Sequence, residues 1–73
     1  MVMLNQLKSG MFAEIVKFDC DQLLRKKLQS NGIIEGSFIR IISCFGPIIF
    51  EIDKRIFSIG HNIAEKIRVI ELM

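Results

Sequence analysis

Residues 23–45, LLRKKLQSNGIIEGSFIRIISCF, contain a change from a helical pattern to a strand pattern. Leu24 and Leu28 lie one helical turn apart, and basic and polar residues fill the positions between and after them. Asn31-Gly32 supplies a residue that readily adopts the left-handed conformation in which helices end. Gly36 marks a second turn, and a run rich in isoleucine follows it. The passage therefore predicts a short helix, two turn glycines and then a β-strand.

The helix is predicted to cover residues 20–30. Asp19 is the predicted N-cap, since Gln22 stands three residues later in the capping-box position. Asp21 adds a negative charge that complements the positive end of the helix dipole. The side chains expected to seat this helix on the rest of the protein are Leu23, Leu24 and Leu28.

The strand that follows is predicted for residues 37–45, and its two faces are both largely apolar. Because side chains alternate along a strand, one face carries Phe38, Arg40, Ile42 and Cys44, and the other carries Ile39, Ile41, Ser43 and Phe45. A strand with one solvated face normally alternates apolar and polar residues. One face is expected to form the core, and the other needs a cover.

Four more segments are rich in β-branched or aromatic residues and are separated by turn signals. The predicted strands are residues 13–18, 48–52, 55–59 and 67–71, with a single helical turn at residues 60–66. Gly46-Pro47 and Asp53-Lys54 are the predicted turns on either side of the third strand. An open sheet of such strands would expose apolar edges, which favours wrapping it into a barrel. The predicted fold is mainly β: a small five-stranded barrel with one short α-helix between strands one and two and a helical turn before the last strand.

The composition indicates one small domain, residues 1–73, with a surplus of apolar side chains. Of 73 residues, 51% are hydrophobic, and the net charge is only +2. This charge gives no strong electrostatic case for nucleic acid as a partner, and no apolar run reaches the ~18 residues that would span a bilayer. The N-terminus does not resemble a signal peptide, so a cytoplasmic location is expected. A chain this short hides only ~60% of its unfolded surface, so a partner or a homo-oligomer would stabilise it.

The chain offers little catalytic or metal-binding chemistry. It has one histidine, His61, and two cysteines, Cys20 and Cys44, which are expected to be free thiols. These three residues are the weak candidates for a divalent transition-metal site, but their spacing is unlike the close ligand pairs of structural zinc sites. No nucleophile–base pair and no glycine-rich phosphate loop is apparent. The sequence therefore favours a protein that is not an enzyme and has no cofactor.

The Phe45-Gly46-Pro47-Ile48-Ile49 hairpin is the most informative local feature for function. Turns normally lie at the surface, and here bulky apolar residues flank the turn. An exposed apolar patch of this kind marks an interface. Phe45, Pro47 and Ile49 are therefore the predicted anchors of a partner-binding surface.

The order of these elements resembles the FeoA family, the small SH3-like accessory proteins of bacterial ferrous iron transport. The resemblance covers nearly the whole chain. It is carried by Leu24-Arg25-Lys26-Lys27-Leu28 leading into Gly32-Ile33-Ile34-Glu35-Gly36, by the Gly46-Pro47-Ile48 turn, and by the closing segment from Ile59 to Val69. It implies an SH3-like fold and a cytosolic adaptor that acts on a membrane ferrous iron transporter with a GTP-binding domain. On this interpretation Arg25 and Lys26 form a basic rim that steers the partner towards the apolar anchors.

Two other functions stay open at this stage. Similar SH3-like domains occur at the C-terminus of metal-dependent repressors, so a metal-sensing regulatory module is the first alternative. Titration with a divalent metal would favour it if the signals of Cys20, Cys44 or His61 shifted. A small RNA-binding barrel is the second alternative, and salt-sensitive binding to single-stranded RNA would support it.

Overall fold

The computed structural model describes residues 1–72, which form one curled antiparallel sheet with two helices. The strands and helices, with a 3-10 turn at Leu4–Gln6 after the first strand, are β1 Val2–Met3, β2 Phe12–Phe18, α1 Gln22–Ser30, β3 Phe38–Ser43, β4 Ile48–Ile52, β5 Arg55–Ile59, α2 His61–Ala64 and β6 Ile67–Leu72. The predicted mainly-β fold, the short helix after the first long strand and the helical turn before the last strand are confirmed.

The sheet has six strands where the sequence predicted five. The additional strand is β1, which has two residues and pairs with β6. The strand order is β1-β6-β2-β3-β4-β5, so β1 and β5 are the two ends of the sheet. No ladder joins β5 to β1 within residues 1–72, so each of these two strands is paired on one side only. The sheet encloses its core by curling.

The β4–β5 hairpin forms as predicted, around Asp53 and Lys54. Both residues have positive φ, 49° and 67°, which is the conformation of a two-residue type I′ turn. This turn matches the right-handed twist of the flanking strands, so Ile52 pairs with Arg55 and the ladder continues to Ile48 and Ile59. β5 is thereby placed at one edge of the sheet.

The start of α1 differs from the prediction. The N-cap is Asp21, whose Oδ1 accepts a hydrogen bond from the Leu24 backbone N–H at 2.8 Å. Asp19 instead accepts a hydrogen bond from the Arg68 guanidinium, and its other oxygen lies 3.9 Å from Lys17 Nζ. The cap therefore moves two residues along the chain, because Asp19 is engaged by a residue 49 positions away.

The core is formed by one face of the sheet together with one side of α1. Leu28 is buried and Leu24 is half-buried against the core, but Leu23 is 79% exposed. The expectation that Leu23 helps to seat the helix is therefore wrong. The fully buried large side chains are Phe18, Phe50, Leu4, Ile15, Ile39, Ile41, Ile48, Ile67 and Val69.

Candidate partner-binding surfaces

The β3–β4 connection forms an exposed apolar tip. β3 ends at Ser43, earlier than predicted, and a register shift between Ile41 and Ser43 interrupts the alternation of side chains. Phe45 therefore leaves the face that it would share with Ile39 and Ile41 by simple alternation, and its side chain is 88% exposed. Pro47 is also exposed, whereas Ile49 is half-buried within β4. Two of the three predicted anchors thus stand at the surface.

The tip is fastened to α2 by a hydrogen bond. His61 Nε2 donates to the Gly46 carbonyl oxygen at 2.7 Å. Gly46 has φ of +70°, so its backbone conformation is one that glycine adopts without strain. His61, which the sequence offered as a metal candidate, therefore positions the turn that presents Phe45.

A groove of about 390 Å³ lies between α1 and the β5 edge of the sheet. Its apolar lining comes from α1, the loop after α1, β5 and α2: Leu24, Leu28, Ile33, Ile56, Phe57, Ile59 and Ile63. Its two charged lining residues, Lys27 and Arg55, are both basic. The groove therefore suits an apolar segment that carries negative charge.

Arg55 holds a fixed position at the margin of this groove. Its Nη2 donates to the Asn31 carbonyl oxygen at 3.2 Å, and its guanidinium lies 5.2 Å from the centre of the Phe57 ring. Gly32 makes room for this arrangement, because a Cβ at this position would lie 2.8 Å from Arg55 Nη1. Gly32 also has φ of +96°, which ordinary side chains rarely adopt. The helix terminus and the β5 edge are joined here.

The tip and the groove are neighbours, because both contact α2. His61, at the start of α2, is hydrogen-bonded to the tip at Gly46. Ile63, in the same helix, lines the groove. In β4 and β5, Ile48 next to the turn pairs with Ile59, which also lines the groove. We refer to Phe45, Pro47 and the groove together as the docking surface.

Arg25 and Lys26, the predicted basic rim, have different environments. Arg25 is half-buried, and its Nη2 donates to the Phe18 carbonyl oxygen at 3.3 Å. Its Nε is buried and has no hydrogen-bond partner within residues 1–72. Lys26 is exposed on α1 next to Lys27, which lines the groove. Lys26 and Lys27 are therefore available to steer a partner, while Arg25 ties α1 to the end of β2.

The three metal candidates do not form a metal-binding cluster. Cys20 is half-buried against the core, Cys44 Sγ lies 3.8 Å from Ser9 Oγ, and His61 is bonded to the turn. Both cysteines are free, as predicted. Within residues 1–72, no three His, Cys, Asp or Glu side chains are grouped to hold a metal ion. Metal binding stays a prediction.

The outward face of the sheet carries a second apolar surface, which the sequence indicated only in part. The prediction that one face of the strand at residues 37–45 needs a cover agrees with the exposure of Phe38, which is 66% exposed, and of Ile42. Phe12 is 51% exposed and adds to this face, but it was missed because the strand was predicted to begin at residue 13. The sequence signal that could have extended the strand to Phe12 is the large aromatic residue directly before Ala13.

Comparisons with known proteins agree with this fold. The FeoA domain model matches residues 2–71. A crystal structure of an iron uptake regulatory protein, FeoA, shares 30% identity and superposes with a TM-score of 0.89, covering 97% of this chain and 96% of that one. The solution structure of FeoA from Chlorobium tepidum shares 24% identity at a TM-score of 0.88, covering 99% of this chain and 71% of that one.

A manganese-dependent transcriptional repressor is also similar, with a TM-score of 0.86 and 24% identity. The match covers 96% of this chain and 41% of the repressor. No curated protein sequence matches the chain. Within residues 1–72, no helix has the length and hydropathy needed to cross a membrane.

The fold defines a small SH3-like domain that is mainly β. The family model extends over nearly the whole sequence, and the chain belongs to the FeoA family, which is associated with ferrous iron uptake.

Proposed function

We propose that this chain is a non-enzymatic cytosolic accessory protein that docks on the GTP-binding part of a membrane ferrous iron transporter and modulates it. The family places the chain in ferrous iron uptake. The observation that carries the docking proposal is Phe45, an 88% exposed aromatic side chain on a turn that is held in place by His61.

The docking surface has the anatomy of a protein interface. Aromatic anchors near the centre of such interfaces contribute most of the binding energy, and charged residues at the rim steer the encounter. Here Phe45 and Pro47 are the anchors, and Lys26, Lys27 and Arg55 are the rim. The rim is basic, so the matching segment of the transporter is expected to be apolar and acidic.

Modulation follows if the surface fits one state of the transporter better than another. An accessory protein shifts a conformational equilibrium only by the ratio of its affinities for the two states. A fixed turn suits this task, because an anchor that is already positioned loses less conformational entropy on binding.

The experiment is a titration of this chain into the purified cytosolic GTP-binding part of the transporter, followed by calorimetry. Phe45→Ser is expected to weaken binding by about 10- to 100-fold, as for an aromatic hot spot. Phe38→Ser is the matched control, since it removes an exposed phenylalanine from the other surface. Equal binding by the wild type and a folded Phe45→Ser variant would contradict the proposal.

A metal-responsive regulatory module is the second candidate, and the similarity to the manganese-dependent repressor favours it. Titration with manganese or ferrous ion, followed by NMR, tests this candidate. It predicts shifts localised to Cys20, Cys44 or His61, and shifts spread evenly over exposed carboxylates would contradict it.

A further inference from the structure

The outer face of the sheet, opposite to the core, presents an apolar surface around Phe12 and Phe38, two residues that the docking proposal does not use. Phe12 in β2 lies opposite Arg40 in β3, and Glu14 lies opposite Phe38. Phe12 and Phe38 are therefore diagonal neighbours on two adjacent strands, a separation of ~7–8 Å over which aromatic side chains still interact. Ile70 in β6, which is 44% exposed, lies opposite Glu14 on the other side of β2.

The exposed apolar area is large for so small a protein. From their exposed fractions, Phe12, Phe38 and Ile70 together leave roughly 300 Å² of apolar side chain in contact with water. A patch of this size is at the lower end of the largest apolar patches found on typical monomeric proteins, and such patches are often functional. An apolar surface centred on two phenylalanine rings is also the composition that interface cores favour.

The charged residues that line the depression beside the two phenylalanine rings are balanced in sign. Arg40 in β3 and Glu51 in β4 lie opposite each other, with Arg40 Nη2 2.7 Å from Glu51 Oε1. Asp53 and Lys54 line the same shallow depression of about 280 Å³ as these two residues and both phenylalanines. The depression therefore has two basic and two acidic residues around an aromatic pair.

This pattern is self-complementary. In a two-fold dimer each residue of the patch meets the same patch on the other copy, so a surface of one sign repels itself. A surface with adjacent opposite charges attracts itself, because Arg40 of one copy can face Glu51 of the other. The docking surface, with its basic rim, does not meet this condition.

We propose that the outer sheet face is a homodimer interface, with Phe12 and Phe38 at its centre and Arg40 and Glu51 exchanging partners across the two-fold axis. Standard interfaces bury ~800 Å² on each partner, of which the apolar centre is a part. A centre of roughly 300 Å² with a polar surround corresponds to a weak dimer, with a Kd on the order of 10–100 µM.

The first test is sedimentation equilibrium of the purified chain over concentrations from about 5 µM to about 500 µM, a range that brackets the expected Kd. The wild type is expected to change from monomer to dimer over this range. Phe38→Ser should weaken self-association at least ~10-fold, while Phe45→Ser, the matched control, should leave it unchanged. A wild type that is monomeric at every concentration, or a Phe38→Ser variant that dimerises normally, would overturn the proposal.

The second test uses charge reversal, which does not depend on removing an aromatic side chain. Arg40→Glu makes this part of the patch acidic and Glu51→Arg makes it basic, so each variant alone is expected to self-associate at least ~10-fold more weakly. An equimolar mixture of the two variants is expected to recover association as a heterodimer. Failure of the mixture to associate, with both variants folded by circular dichroism, would show that the charges act only within one chain and would sink the proposal.

Discussion

The docking surface and the outer sheet face are both apolar, but they differ in how their charges are arranged. The docking surface has an exposed ring at Phe45 and basic residues at its rim, and its lining contains no acidic residue among those described. The outer face has exposed rings at Phe12 and Phe38 around the Arg40–Glu51 ion pair. We propose that both apolar surfaces are sites of contact, and that the charge pattern decides whether the surface binds a different molecule or a second copy of the chain.

The two surfaces also have different structural support. The outer face is a sheet face, where neighbouring strands fix the backbone of each residue through the ladder. The docking surface is assembled from a turn, a short helix and a helix-to-sheet groove, and single hydrogen bonds of His61 and Arg55 hold its parts together. A point substitution that removes one of these hydrogen bonds should therefore alter the docking surface, whereas a point substitution on the outer face should leave the sheet beneath it in place.

The largest effect is expected for Phe50→Ala, which should abolish the distinction between the surfaces by destabilising both. Phe50 is fully buried, and its ring stacks on Phe57 with 5.6 Å between centroids. Removing a buried phenylalanine costs about 3–5 kcal/mol in the free energy of unfolding. Urea denaturation measures this loss, with Phe45→Ala as the exposed control, which should stay within about 0.5 kcal/mol of the wild type. Similar losses for the two variants would show that Phe45 is buried.

A reciprocal pair of variants comes next and tests the separation directly. Phe45→Ser should weaken docking by about 10- to 100-fold without changing dimerisation. Phe12→Ser should do the reverse. Calorimetry measures the docking affinity of each variant, and sedimentation measures its dimerisation affinity. A folded variant that lowers both affinities would mean that the two surfaces are one.

Gly32→Ala is expected to have a smaller effect, confined to the docking surface. An alanine would be strained at φ of +96°, and its Cβ would displace Arg55 Nη1. We expect a loss of about 1–2 kcal/mol in the free energy of unfolding, together with weaker docking, because Arg55 leaves its position at the groove. Gly36→Ala is the matched control: it has φ of +93° but no atom within 4 Å of the added Cβ. Identical docking by the two folded variants would show that the position of Arg55 does not matter.

The smallest effect is expected at the start of α1. Asp21→Ala removes the N-cap and should cost about 1 kcal/mol in the free energy of unfolding. Asp19→Ala removes a partly exposed ion pair with Arg68 and should cost less than about 1 kcal/mol. Helix content from circular dichroism distinguishes them, since only the first variant should fray α1. A helix shortened by Asp19→Ala alone would restore Asp19 as the cap.

The sequence was most informative where structure depends on neighbouring residues. β4 and β5 have the predicted bounds because the two-residue turn at Asp53-Lys54 fixes the register of both strands. The alternation of Ile39 and Ile41 assigned these two residues to one face of β3, and the structure shows that this face is the buried one. The left-handed conformation of Gly32 after α1 followed from the Asn31-Gly32 signal.

The sequence was least informative where distant residues decide the structure. Asp19 and Asp21 are equivalent as local caps, and only the contact with Arg68 distinguishes them. Leu23 and Leu24 are adjacent leucines, and the position of β5 determines which one faces the groove. β1 has only two residues, too few for any pattern. Arg25 differs from the predicted rim charge because its side chain donates to the Phe18 carbonyl, a backbone acceptor that no residue pattern reveals.

The most direct test of the docking proposal is an NMR titration of the isotopically labelled chain with the cytosolic GTP-binding part of the transporter. The labelled chain is kept at about 5 µM, below the expected Kd of the dimer. We predict that the perturbed amides are those of Phe45, Gly46, His61 and Ile63 and of the groove, while those of Phe12 and Phe38 remain unchanged. Perturbation centred on Phe12 and Phe38, with the Phe45 turn unaffected, would contradict the account.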